Sequence, residues 1–158
     1  MVMNFVPKGI IVRLAAERDL QAVFGLMSAL GYSDLSLARF GEVYHAVMKD
    51  ASMFLVLAEA DHVVIGLATV SRRPQLRLNS HLVTIDELVV APEWRGRGVG
   101  RALVEQAKGI ARHSGCGRLE LLTNRARESY RREFYIKNGF TEADSAVMRI
   151  DYELGDEW

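Results

Sequence analysis

The chain reads as one α/β domain over residues 1–158, with a mixed, mostly antiparallel central sheet flanked by helices. Two observations carry this. Short β-rich runs come in a block of three neighbours after two helical patterns, which suggests an antiparallel meander. A strand–helix–strand order then follows, and that crossover implies a parallel pair. No internal repeat, low-complexity tract or linker divides the chain.

The first strand is Gly9 to Leu14, carrying Ile10, Ile11 and Val12. Leu20, Val23, Phe24, Met27 and Leu30 recur at spacings of three and four, so they form one apolar helical face, and Gly31 ends it. A second helix runs from about Leu35 to Met48, with Leu37, Phe40, Tyr44 and Val47 on one side. Met53–Glu59 and Val63–Val70 form a hairpin about Asp61-His62. Arg72-Arg73-Pro74 interrupts the second arm, with a turn to about Asn79, and Leu82–Val90 is the third strand. Gly98 opens a helix with a stripe of Val99, Leu103, Ala107, Ile110 and Ala111. Arg118–Thr123 is a short strand, a helix reaches about Asn138, and a last run passes through Val147, Met148 and Ile150.

Composition bounds the chemistry. Twenty basic residues balance twenty acidic ones over 158 residues, so no bulk charge draws the protein to nucleic acid or to an anionic membrane. No run approaches the roughly 20 apolar residues of a bilayer span, and no charged-then-apolar leader opens the chain, which predicts a soluble, cytoplasmic protein. Cys116 is the only cysteine and lies in a loop pattern, Ser114-Gly115-Cys116-Gly117, where an inert thiol is expected. The four histidines are scattered without ligand spacing, so no metal is expected.

The most informative stretch is Arg95-Gly96-Arg97-Gly98-Val99-Gly100-Arg101, between a buried strand and a helix. Glycines let backbone amides approach a ligand, and the first amides of a helix lack intrahelical partners. The helix dipole favours an anion at that end, and three arginines add charge beside it. Together these describe a polyphosphate cradle. The segment lacks the Gly-Lys-Ser/Thr of a P-loop and the final glycine spacing of the dinucleotide fingerprint.

Arg95-Gly96-Arg97-Gly98-Val99-Gly100 resembles the pyrophosphate motif of the GNAT superfamily: Arg or Gln, two residues, Gly, one residue, then Gly or Ala. Glu87-Leu88-Val89-Val90-Ala91-Pro92-Glu93-Trp94 looks like that superfamily's central strand and its exit, and Phe134-Tyr135-Ile136-Lys137-Asn138-Gly139-Phe140 is similar to its last-helix signature. The order of elements agrees over nearly the whole chain. The resemblance implies an N-acetyltransferase that uses acetyl-CoA as cosubstrate and a small primary amine as acceptor. It puts the coenzyme pyrophosphate on Arg95, Gly96, Arg97, Gly98, Val99, Gly100 and Arg101, and the pantetheine arm on the backbone of Leu88, Val89 and Val90. Asn124 matches an asparagine that often touches the coenzyme in relatives. The resemblance also implies direct transfer, with a backbone amide near Val89 at the oxyanion, Tyr135 as the acid for the leaving thiolate and Glu87 as the base. Asp86 points to the opposite face if the strand is regular and ranks second.

The second half also looks similar to aminoalkylphosphonate N-acetyltransferases. Arg72 and Arg73 could hold an acidic substrate in bidentate fashion. Protein N-termini, aminoglycosides and polyamines stay open as acceptors. A catalytically silent coenzyme A-binding sensor and an ATP-binding protein are the rivals from other classes. Homodimers are common in the superfamily and are expected here on that ground alone.

Overall fold

A computed structural model describes residues 5–154, which fall into two compact units, one up to Leu122 and one from Thr123 onward. The first unit is a five-stranded sheet in the order β1-β2-β3-β4-β5 with helices on both faces. Its strands are β1 (Ile10–Leu14), β2 (Met53–Ala60), β3 (Val63–Gln75), β4 (Ser80–Val90) and β5 (Arg118–Leu121). The first four are antiparallel neighbours, and β5 lies parallel to β4, as the crossover through α3 (Val99–His113) requires. The mixed α/β class therefore stands.

α1 (Leu20–Leu30) ends where Gly31 turns left-handed at φ 106°, its N–H reaching back to Met27 and Ser28. α2 (Leu37–Lys49) starts on Ser36, whose hydroxyl accepts from the Arg39 N–H. Both helices cover one sheet face, where Leu55, Leu57, Leu67 and Val89 meet Val23, Leu26, Met27 and Tyr44. The alternate residues Val56, Ala58 and Ala68 turn to the other face and pack with Val99 and Leu103 of α3. A Cβ on Gly66 would come within 3.1 Å of Leu103 and 3.2 Å of Val99, so the bare backbone lets the start of α3 sit close on the sheet. Asp19 anchors the approach to α1. Its carboxylate accepts from the Ala16 N–H and from two nitrogens of Arg13, whose Nε reaches Glu59.

β3 is longer than its sequence suggests, because it continues through Arg72-Arg73-Pro74 to Gln75. The register with β2 ends at Ser71, so Pro74 pairs only with β4 and its missing N–H costs no bond on the vacant side. The turn that follows is a 3-10 segment, Leu76–Leu78, closed by Asn79 at φ 48°.

In the second unit, the expected single helix is two short ones, α4 (Glu128–Arg131) and α5 (Phe134–Lys137). Glu133 at φ 58° lies in the left-handed region and breaks the helical path between them. The last run does not form a strand. Val147, Met148 and Ile150 are 57%, 91% and 77% exposed, and without a buried face or a paired neighbour the apolar pattern has nothing to fix it.

Candidate active site

β4 carries a bulge where the chemistry is expected. Thr69 pairs with Glu87 and Val70 with Ile85, so Asp86 is an extra residue with no partner on β3. The Glu87 N–H donates to the buried Thr69 hydroxyl at 2.9 Å. The register with β5 also stops at Ile85, leaving Leu88, Val89 and Val90 bonded to β3 on one side and beyond β5 on the other. The extra residue thus falls where the parallel pairing with β5 ends.

The same bulge removes the parity that set Asp86 and Glu87 on opposite faces. Burial, reinforced by the charge of Asp86, pushes the Glu87 carboxyl up from its ordinary 4.5 to about 7. Burial also raises Asp86, offset by a hydrogen bond from Ser71 and by the charge of Arg73. Glu87 is therefore close to half ionised at neutral pH, which suits a base that must accept a proton and release it. The charge of Asp86 adds to the larger effect of burial in holding it there.

Beyond β4, the 3-10 segment Pro92–Trp94 leads into the glycine loop. Gly96 has φ 75° and Gly98 φ 84°, and Gly98 caps α3. The first amides of α3 have no intrahelical acceptor and face the loop. The three arginines do different things. Arg95 folds back along the surface, with Nε donating to the Val90 carbonyl (3.1 Å) and Nη2 to the Ala29 carbonyl (3.3 Å). Arg97 lies 4.9 Å from the Trp94 ring centroid, and Arg101 lies 4.1 Å from that of Phe5. Arg97 and Arg101 are exposed at the loop, where an anion would meet them. Gly98 also has a packing role: a Cβ there would stand 3.0 Å from Phe5 and 3.2 Å from Pro7. The amides, the absent side chains and the two arginines fit the pyrophosphate of a coenzyme.

Tyr135 and Asn124 belong to the second unit. Tyr135 packs edge-on against Phe134 and Phe140, at ring separations of 5.1 and 6.1 Å. Burial raises its phenol above the ordinary value, with the charge of Arg127 acting the other way. A phenol so placed keeps its proton at neutral pH. The Asn124 side-chain oxygen accepts from the Ala126 N–H at 2.8 Å, an Asx turn that shapes the approach to α4.

Trp94, Thr69 and Phe5 were not among the residues that sequence reasoning selected. Trp94 sits three positions before Arg97, a spacing that could have suggested the contact. Thr69 and Phe5 are joined to the site only by strand register and by chain reversal, which leave no local trace. Among the described residues no group of three His, Cys, Asp or Glu could hold a metal, and no helix is long and apolar enough to cross a membrane.

The acetyltransferase (GNAT) family model matches residues 20–140. Among characterised proteins, an aminoalkylphosphonate N-acetyltransferase of Salmonella typhimurium is 29% identical over 132 residues, covering 84% of this chain and 85% of that one. Among solved structures, an acetyltransferase of Trypanosoma brucei superposes with a TM-score of 0.75 at 26% identity, over 90% of this chain and 99% of that one. An aminoglycoside N-acetyltransferase in complex with CoA has the same fold, with a TM-score of 0.79 at 21% identity over 93% and 99% of the two chains. With a family model spanning most of its length and a bulged strand leading into an arginine–glycine cradle, the chain belongs to the GNAT family of acetyltransferases.

Proposed function

We propose that this acetyltransferase moves the acetyl group of acetyl-CoA to the primary amine of a small molecule by direct attack on the thioester. The observation that carries the reading is the bulge at Asp86. It holds Glu87, poised near neutral pH, at the head of a strand segment that has left β5 and runs into the glycine loop.

Each step falls to a group of this chain. Glu87 takes a proton from the amine as its nitrogen bonds to the acetyl carbonyl carbon. A backbone N–H near Val89 donates to the carbonyl oxygen as it gains negative charge. Tyr135 gives a proton to the sulfur as the carbon–sulfur bond breaks, leaving an amide and free coenzyme A. The edge of Leu88, Val89 and Val90 away from β3, which lies past the last β5 pair, receives the pantetheine arm. Gly96, Gly98, Val99, Gly100, Arg97 and Arg101 receive the pyrophosphate, while Arg95 braces the loop through its bonds to the Val90 and Ala29 carbonyls. Asn124 serves the coenzyme through the turn it stabilises.

For the acceptor we favour a small amine that also carries an acidic group, of the aminoalkylphosphonate kind named for the Salmonella relative. Arg72 and Arg73 supply guanidinium forks of the right chemistry, and Arg73 is near enough to Asp86 to act on its charge. The test is calorimetric titration with acetyl-CoA, then free-thiol release against a panel of amines that includes aminoalkylphosphonates. Binding with release that depends on an anionic amine supports the whole reading. Release with neutral amines alone removes the acidic acceptor, and absence of binding removes the enzyme mechanism.

A further inference from the structure

Phe5 is distant from the glycine loop in sequence but touches it in space. The Pro7 carbonyl accepts from the Ile10 N–H at 3.2 Å, and Gly9 sits at φ 80°, as a type II turn requires of its third residue. This turn brings the segment before β1 back across the start of α3. There the Phe5 ring and Pro7 fill the space that a side chain at Gly98 would take, and the ring lies 4.1 Å from the Arg101 guanidinium.

Phe5 is 37% exposed and belongs to neither core cluster, so its packing contributes little to the core. Its effect on Arg101 is more specific. A guanidinium stacked on a ring uses its flat face, and its N–H donors remain in the plane, directed outward. The ring also limits the rotamers of a long side chain that would otherwise lose that freedom on binding an anion.

We infer that Phe5 is a positioning residue for coenzyme binding: its ring holds Arg101 in place beside the loop amides so that the guanidinium meets the pyrophosphate already oriented. This rests on the assignment of the loop to the coenzyme pyrophosphate. The opposite role would be a strap, with Phe5 covering the loop and competing with the coenzyme. The exposure of Arg101 despite its contact with the ring favours the platform.

The experiment titrates coenzyme A into the full-length protein and its Phe5→Ala, Phe5→Tyr, Arg101→Ala and Phe5→Ala/Arg101→Ala variants. Phe5→Ala should weaken binding about 2- to 5-fold, the range of an exposed cation–π contact, and Phe5→Tyr should stay within about 2-fold of wild type. In the Arg101→Ala background, Phe5→Ala should cause no further loss. The KM for S-acetylpantetheine, which has no pyrophosphate, should not change in Phe5→Ala. If Arg101→Ala leaves coenzyme A affinity unchanged, the loop assignment itself fails. If Arg101→Ala weakens binding but Phe5→Ala does not, or the two losses add, the loop assignment stands and the platform is wrong. Tighter binding by Phe5→Ala would overturn it in favour of a strap.

Discussion

Replacing Glu87 by glutamine should make the protein more stable and nearly inactive, with both effects set by pH. The Glu87 carboxyl titrates near 7 in the fold against an ordinary 4.5, because burial and Asp86 both disfavour its charge. A group that holds its proton more tightly when folded favours the fold at low pH. That advantage is lost as the pH rises from about 4.5 to about 7. At about 1.36 kcal/mol per pKa unit, the wild type gives up about 2.5 kcal/mol between pH 5 and pH 8 on this account. Glutamine has no proton to lose. The stability gap between Glu87→Gln and wild type, from urea unfolding, should therefore widen by about 2.5 kcal/mol over that interval. The same variant should lower amine-dependent thiol release by about 10²- to 10⁴-fold and erase the ascending limb of kcat/KM centred near 7. Asp86→Asn should keep the limb and move it to lower pH, because it removes one of the two causes of the shift. A stability gap that does not change with pH would mean that Glu87 titrates at its ordinary value. A limb that survives in Glu87→Gln would place the base elsewhere.

Tyr135→Phe should reduce turnover by about 10²-fold while leaving acetyl-CoA affinity within about 2-fold, as calorimetry and single-turnover thiol release would show; full turnover would remove its role as acid. Asp19 should control acid stability. Hydrogen bonds from Arg13, helped by the Ala16 N–H, hold its carboxyl down to about 2, so its contribution is present above the ordinary 3.8 and is lost as pH falls through about 2. Asp19→Asn should cost about 2 kcal/mol near pH 7 and converge with wild type near pH 2 in thermal unfolding.

The parts of the fold that were legible are those whose signals are local. α1 shows both its apolar spacing and its terminating Gly31, and the structure starts and stops it where the pattern does. The loop from Arg95 to Arg101 is written in consecutive residues, and so is the turn at Asp61-His62, where both φ angles are positive. The bulge was not legible, because Ile85-Asp86-Glu87 reads as unbroken strand and only the register with Thr69 and Val70 reveals the extra residue. Pro74 misled for the opposite reason: it is a breaker by composition, yet tolerated where β2 has already ended. The run at Val147–Ile150 has the composition of a strand, but a strand needs a neighbour that sequence cannot specify. Arg95, Arg97 and Arg101 look interchangeable in the sequence. Their separate partners, two carbonyls and two rings, depend on contacts with Ala29, Trp94 and Phe5.

The end of β3 has a consequence for how copies of this protein behave when crowded. Past Arg72, whose N–H still donates to the Ser52 carbonyl, the strand has no neighbour on the β2 side, and a ladder with one side vacant is a template on which another chain could add itself. Pro74 offers no N–H to such an intruder, and the charges of Arg72 and Arg73 repel a like-charged copy approaching at the same place. Replacing these three residues with β-formers would lengthen an attractive edge and invite aggregation. The same short stretch that looks, in the sequence, like a flaw in the strand thus discourages edge-to-edge pairing of copies.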